Sequence, residues 1–415
     1  MSHRIVIVGA GFAGLSAALE LPDSCDVTVI SDRPWCEFLP NIHEILSSQK
    51  RPEDLRIDAS ARVEEAGHRF VQDEVVEIDR GRRVVRGLSS GTHAYDGLIV
   101  AVGGVNATHG VSGADRWAMP FKSVADCEQI GTRLRALHRR SPRARVTVVG
   151  GGLEGVEALG EILRAFPRFR IRVVEAGSRL LSAGPASLDR TVRKECAAFD
   201  VGFEMESRVD EVGRERVTLS SGVAVDSEVT IWTGGPTGAP LLNSAGLAPR
   251  AGAWAPVAAT LESSDAEGVF LAGDAAALGE PIAKQAYHAM DMGVCAARNA
   301  MRRLDGRVLE RFVPAEKPML VSLGHLGCFL VQGRWALFGP GISMAKEAVF
   351  QLVTAQLAPP SGVDSTVAAW RRLSGAFPEP GWPSVPAVWN ALRGALDVRV
   401  LAPEEGACTS SPNAP

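Results

Sequence analysis

Arg4-Ile5-Val6-Ile7-Val8-Gly9-Ala10-Gly11-Phe12-Ala13-Gly14-Leu15-Ser16-Ala17-Ala18 decides how this chain is read. A β-branched run enters G-x-G-x-x-G, and an Ala/Leu-rich helical pattern leaves it. Gly9 allows the tight strand-to-helix turn, and Gly11 lets the backbone approach a pyrophosphate. Gly14 lets the helix pack close to the strand with its positive N-terminus toward the anion. One such stretch is a common strand-turn-helix pattern, but the chain carries two. Val146-Thr147-Val148-Val149 runs into Gly150-Gly151-Gly152-Leu153-Glu154-Gly155-Val156-Glu157, followed by an amphipathic helical pattern through Leu163. Two dinucleotide loops in one chain imply a bound flavin dinucleotide and a nicotinamide dinucleotide that delivers hydride to it.

The strand after each loop indicates the ribose contact. Val27-Thr28-Val29-Ile30 ends in Ser31-Asp32, so the expected carboxylate comes one position late. Asp32 is the expected ribose ligand, against the alternative of a turn residue before Arg33-Pro34. Ile171-Arg172-Val173-Val174 ends in Glu175, in the ribose position. A 2′-phosphate would be repelled there, which favours NADH over NADPH; Arg179, four residues on, tempers this.

Other segments return to the same region. Phe38-Leu39-Pro40 reads as a loop along a cofactor. Residues 69–71 and 74–78 read as strands, and 82–92 as hairpin material. The buried strand 95–102 ends at Gly103-Gly104. Ser123 reads as the N-cap of a helix running to His138, with a boundary over 139–145. Val229-Thr230-Ile231-Trp232-Thr233-Gly234 is a strand ending in glycine. Val269-Phe270-Leu271-Ala272-Gly273-Asp274 reads as a strand, a turn and the start of a helical region. There Asp274 either accepts from a ribityl hydroxyl or is a helix N-cap.

Composition narrows the function class. The 415 residues are 46% hydrophobic and 22% charged, ordinary for a globular chain of two or three domains, and the net charge of −4 gives no case for nucleic acid. No signal peptide and no apolar run of roughly 18–20 residues is read, so a cytoplasmic location is expected. The seven cysteines are scattered and include no C-x-x-C pair. They read as free thiols, with neither a redox disulfide nor a metal site.

These pieces together resemble FAD-dependent pyridine-nucleotide oxidoreductases, most closely type II NADH dehydrogenases and their apoptosis-inducing-factor-like quinone reductase relatives. The likeness rests on V-V-G-G-G-x-x-G-V-E (148–157), V-V-E-A-G-x-R-L-L (173–181), L-I-V-A-V-G-G (98–104), F-K-S at Phe121, W-T-G-G at Trp232 and L-A-G-D-A-A at Leu271. It covers residues 3–345. It implies an α/β chain with two Rossmann-like dinucleotide-binding domains, a glutathione-reductase-like FAD/NAD(P)-binding fold, and a C-terminal α+β segment. The FAD domain would comprise 1–115 and 245–310, the NAD(H) domain 116–244, and the acceptor-side segment 311–400, with 401–415 a disordered tail.

The resemblance also implies roles. Glu157 would lie where nicotinamide meets flavin; its alternative is a helix-face salt bridge. Lys284 would stabilise the reduced flavin, and Gln285 would face the acceptor together with Tyr287 and His288. Cofactor contacts are expected at Gly9, Gly11, Phe12, Ala13, Gly14, Asp32, Arg33, Leu39, Val75, Ala101, Val102, Gly103, Gly273, Asp274, Ala286, Gly150, Gly152, Leu153, Glu154, Glu175 and Gly234. The chain departs from the family at 284–290, where the later glutamines of the quinone-side motif are absent. It also lacks the nucleophilic cysteine pair of sulfide:quinone oxidoreductases, and Cys328 reads as buried packing.

The stretch 343–357 reads as a helix with an apolar stripe of Ala345, Val349, Leu352 and Val353. Trp370, Trp382 and Trp389 follow in a Pro-interrupted region. That region would pack on the body or on a dimer partner, or dock peripherally on the inner face of the cell membrane. The expected reaction is hydride transfer from NADH to FAD and two-electron transfer to a quinone-like acceptor. The alternatives are a soluble flavoprotein tailoring oxidoreductase acting on a small metabolite and a flavin-bound redox sensor without turnover.

Overall fold

The structure is a computed structural model and describes residues 3–358 and 398–401. Two largely parallel sheets organise it. In the first, Arg4–Val8 lies between Gly97–Val100 and Asp26–Ser31, with Arg69–Gln72 beyond one side and Ala266–Leu271 and Glu262–Ser263 beyond the other. In the second, Arg145–Val149 lies between Val229–Trp232 and Arg170–Val174, flanked by Ala118–Pro120 and Val201–Glu204. The central strands are almost continuous Val and Ile because helices cover both faces of a parallel sheet; Ile5, Ile7, Val148 and Ile231 are fully buried.

The two units share a plan. In each, a three-stranded antiparallel sheet precedes a fully buried parallel strand, Gly97–Val100 in the first and Val229–Trp232 in the second. The first is built from Val75–Asp79, Val84–Gly87 and Thr92–Ala94, and the second from Val209–Val212, Arg216–Leu219 and Ala224–Asp226. Their registers also match: the Gly9 N–H donates to the Ile30 carbonyl, and the Gly150 N–H to that of Val174. Ser31 is therefore the counterpart of Glu175, and the acid of the first unit follows at Asp32.

A four-stranded antiparallel sheet of Met319–Ser322, Cys328–Gln332, Trp335–Gly339 and Arg399–Leu401 follows, with the helix Gly341–Leu357 packed against it. At one point it meets the second unit backbone to backbone. A Cβ on Gly160, in the helix Leu153–Ala165, would collide with the backbone of Leu323 and Gly324, and one on Gly324 (φ +59°) with the Gly160 carbonyl. Edge-on rings tie the same sheet-and-helix unit to the first fingerprint, with Phe12 to Phe38 at 5.5 Å and Phe38 to Phe350 at 4.8 Å between centroids.

Several expectations are corrected. The segment after Gly273 is one 3-10 turn, Gly273–Ala275, and the long helix begins only at Ala286 because Gly279 and Pro281 interrupt the chain. Phe38-Leu39-Pro40 opens a 3-10 helix, Leu39–Ile45, where a plain loop was expected. The helix capped by Ser123, whose hydroxyl accepts from the Asp126 N–H at 3.1 Å, runs through Arg140, beyond the expected His138. On Gly341–Leu357 the buried face is Ile342, Lys346, Phe350, Val353 and Leu357, while Leu352 is exposed. The three tryptophans at 370, 382 and 389 and the tail from 402 lie outside the described residues. Among the described residues no helix is long and apolar enough to cross a membrane, and no cluster of His, Cys, Asp or Glu could hold a metal ion.

Candidate functional site

A cavity of about 920 Å³ runs along the carboxyl ends of the first sheet and on to the C-terminal helix. Open parallel sheets bind ligands at this edge, outside the carboxyl ends of their strands. Its wall contains Gly9, Gly11, Phe12, Ala13, Asp32, Arg33, Leu39, Val75, Ala101, Val102, Gly103, Gly273, Asp274 and Ala286. From the second unit it takes Leu153, Glu154 and Glu157, and from the acceptor-side expectation Lys284 and Gln285. Gly14, Gly150, Gly152, Glu175 and Gly234 do not line it.

The glycines divide by what surrounds them. Gly9 has φ +94°, and a Cβ there would lie 2.6 Å from the Ala101 carbonyl oxygen; a Cβ on Gly14 would collide with the Gly9 carbonyl. Both are required by the protein's own packing. A Cβ on Gly11 would meet no protein atom within 4 Å, and Gly11 lines the cavity. The helix Phe12–Glu20 starts from Gly11 without a side-chain cap, so its first N–H groups face the space where an anion belongs. The second unit repeats this pattern. Gly150 (φ +106°) is pressed on Thr233 and Gly155 on Gly150, while Gly152 is open and the helix behind it is uncapped. Each loop therefore fits a dinucleotide pyrophosphate.

Glu175 is held in place by its own loop, accepting from the backbone N–H groups of Gly151 and Gly177, both at 2.6 Å. Arg179 is already engaged, donating to the carbonyls of Gly184 at 2.6 Å and Ser182 at 2.8 Å. Asp32 is exposed and pairs with Arg33 at 3.2 Å.

The inner end of the cavity is charged. The Glu157 carboxylate pairs with the Lys346 ammonium, accepts from the Ser322 N–H at 3.1 Å and lies 3.4 Å from Nδ1 of His43. Lys346 and Glu157 line the cavity, and both are less than a tenth exposed. Burial raises the Glu157 pKa, with Lys346 pulling against it. Burial works against the Lys346 ammonium, but the facing carboxylate, with Cys328 behind it, outweighs that and holds its pKa above the ordinary value. Across this buried contact each charge compensates the other. Glu154 pairs with Lys122 at 3.3 Å; burial raises its pKa against that cation. Lys346 has no sequence signature, because a lysine between apolar neighbours on a helix looks solvent-facing. Only its pairing with a residue 189 positions away reveals it.

On the acceptor side, the Lys284 ammonium donates to the Asp274 carbonyl at 2.6 Å and lies 3.8 Å over the Trp254 ring. Gln285 is the N-cap residue of Ala286–Leu304, without a side-chain cap bond. Tyr287 lines the cavity, but His288 does not. The His288 imidazole is buried between the carbonyls of Ala283 and Ala315, at 2.9 and 3.1 Å, and pins the helix start. Met319, Leu320, Val349 and Val353 give this end an apolar wall. Cys328 is fully buried, its thiol pushed up to about 12 by burial.

The family model described as pyridine nucleotide-disulphide oxidoreductase matches residues 3–293. Among curated proteins, the demethylphylloquinone reductase NdbB of Synechocystis is 26% identical over 369 residues, covering 84% of this chain and 91% of that protein. A type II NADH:quinone oxidoreductase of Staphylococcus aureus is 25% identical over 370 residues, covering 80% and 90%. Among solved structures, NDH2 of Plasmodium falciparum aligns with a TM-score of 0.76 at 15% identity, covering 85% of this chain and 94% of that one. The sulfide:quinone oxidoreductase of Aquifex aeolicus aligns at 0.75 and 17%, covering 86% and 91%. At such identities the structural likeness speaks for the fold.

Proposed function

The chain belongs to the pyridine nucleotide-disulphide oxidoreductase family, and from that premise we propose that it is an FAD-dependent oxidoreductase that oxidises NADH and reduces a quinone-class acceptor. The observation that carries this reading is the continuity of one cavity. It joins the uncapped first fingerprint helix, Leu153, Glu154 and Glu157 at the start of the second fingerprint helix, and the charged and apolar C-terminal wall. A hydride donor and an electron acceptor need that single connected space around one flavin.

Bound flavin would supply the chemistry of taking a hydride from NADH and releasing two electrons to the acceptor. The residues suited to hold it are Gly11, Phe12 and Ala13 at the pyrophosphate, Asp32 at the ribose and Asp274 at the ribityl chain. Glu175, anchored by two N–H groups, offers ribose hydroxyls an acceptor and repels a 2′-phosphate. Arg179, spent on its own loop, gives that phosphate no partner, so NADH is the proposed coenzyme. Reduction of a quinone by NADH consumes one proton beyond the hydride. The Lys346 ammonium, facing the cavity beside Glu157, is the group placed to compensate charge and supply that proton. Met319, Leu320, Val349 and Val353 offer an apolar surface to a quinone ring. Most of the protein's contribution is positioning.

Anaerobic titration of the flavin-loaded protein with NADH, then mixing with menadione, tests the proposal. Flavin bleaching by NADH in preference to NADPH, and reoxidation by menadione faster than by oxygen, are expected. Absence of bleaching overturns the reading altogether. Bleaching without quinone-dependent reoxidation transfers it to a reductase of another small molecule.

A further inference from the structure

The Glu157–Lys346 pair touches a third buried side chain that does not reach the cavity. His43, in the 3-10 helix Leu39–Ile45, is 1% exposed. The Lys346 ammonium donates to its Nε2 at 3.4 Å, while its Nδ1 faces the second oxygen of Glu157 at 3.4 Å. The three groups come from three separate elements and form a closed ring in which the ammonium has two acceptors.

We infer that His43 is a positioning residue for the acceptor half of the reaction: it fixes the Lys346 ammonium so that its remaining N–H is directed into the cavity. This rests on the functional reading above. A lysine ammonium carries three donors and rotates freely unless at least two are held. Glu157 holds one and His43 Nε2 holds a second. For Nε2 to accept, the ring must be neutral with its proton on Nδ1, where it faces the Glu157 carboxylate. The surroundings favour this state. Burial, then the cations Lys346, Arg164 and Lys50, hold the His43 pKa well below its ordinary value.

The other charged and titratable groups near this ring are already engaged. On the helix of Glu157, Glu161 accepts from Ser47 and pairs with Arg164 at 3.2 Å. On the element of His43, Glu44 pairs with Lys50, which also reaches Glu347 at 2.7 Å. Cys328, behind Lys346, carries a neutral thiol. His43 is thus the only neutral ring among these charges in the described residues. In the acceptor step an Nζ–H bond of Lys346 breaks and an O–H bond of the quinol forms. The electrons come from NADH, and the neutral amine takes its replacement proton from water.

The test compares His43→Ala and His43→Gln in the flavin-loaded protein by stopped flow, following NADH-driven bleaching and menadione-driven reoxidation separately from pH 6 to 11. For His43→Ala, reoxidation at pH 7 is expected to slow by about tenfold or more, the scale of a misaligned acid. Its alkaline limb, which in the wild type lies above the ordinary lysine range because the Glu157 carboxylate holds Lys346 charged, should move to lower pH, since Lys346 has lost an acceptor for its charged form. Bleaching by NADH should stay within about twofold of wild type. Gln, whose amide both accepts and donates, should restore most of the reoxidation rate and its pH profile.

Unchanged reoxidation and an unchanged pH profile in His43→Ala overturn the inference. So does an equal loss in both half-reactions that Gln fails to rescue, which would make His43 a packing residue only. A wild-type protein that fails to bleach with NADH, or to reoxidise with menadione, refutes the underlying function instead and is visible before either variant is compared.

Discussion

Removing Lys346 should destabilise the protein in a way that depends on pH and on Glu157. Lys346→Met keeps much of the side-chain volume and the cavity wall but leaves a buried carboxylate facing Ser322 and His43 without its cation. Breaking one partner of a buried pair costs about 3–5 kcal/mol, and the lost group here is as buried as its partner. The variant can relieve part of this by protonating Glu157, whose pKa burial already raises.

The sign of the pH dependence follows from that shift. A carboxyl whose folded pKa exceeds its unfolded value contributes most below the unfolded pKa, and the contribution is lost as pH rises toward the folded pKa. Each unit by which the variant's Glu157 rises above the wild-type value adds about 1.4 kcal/mol of difference. The deficit of Lys346→Met against wild type should therefore be small near pH 5 and grow through pH 8. Urea denaturation at several pH values measures it, and the cycle with Glu157→Gln isolates the coupling. The double variant should be more stable at pH 8 than Lys346→Met alone. A pH-independent deficit, or costs that simply add in the double variant, would refute the claim that these residues form one charge-compensated unit.

Other outcomes follow from the same geometry. Gly11→Val should fold with near-native stability, since no protein atom lies within 4 Å of its Cβ direction, yet lose flavin, as read by the absorbance ratio of purified protein. Gly9→Ala, at φ +94° and 2.6 Å from the Ala101 carbonyl, should instead destabilise the fold itself by about 1–3 kcal/mol, read by denaturation. Glu175→Arg should raise the NADPH/NADH ratio of kcat/KM by at least about tenfold, consistent with exchanging repulsion for a phosphate partner; an unchanged ratio counts against the ribose assignment. Cys328 should resist alkylation at pH 8 in the native protein and react only after unfolding, because its thiol is fully buried and shifted to about 12.

What the sequence made legible was local. The Gly9 and Gly150 turns, with strands before and helices after, are written in consecutive residues, and so were readable together with the Glu175 carboxylate. The late acid of the first unit was also visible as Ser31-Asp32, and the Ile30 and Val174 registers give that offset its structural meaning. The C-terminal wall was not legible. The apolar spacing of 345, 349, 352 and 353 suggested one helix face, but contacts with Phe38 and Glu157 rotate the helix so that Phe350 and Lys346 point inward. His43 likewise has no pattern of its own; its role depends on two elements more than a hundred residues away. The helical start assigned to Asp274 failed because Pro281 and Gly279 outweigh the strand-turn-helix expectation.

Gly160 and Gly324 set a limit on how this molecule can vary. Where two side chains meet, a larger residue on one side can be matched by a smaller one on the other, and the spacing drifts through intermediate pairs. Here each backbone already occupies the volume a first carbon would need, so neither position has a smaller partner to trade against. The separation between the helix presenting Glu157 and the sheet preceding Lys346 thus behaves as a fixed gauge. A lineage or an engineer wishing to widen the acceptor end would have to work through Val349, Val353, Met319 and Leu320, leaving that gauge untouched.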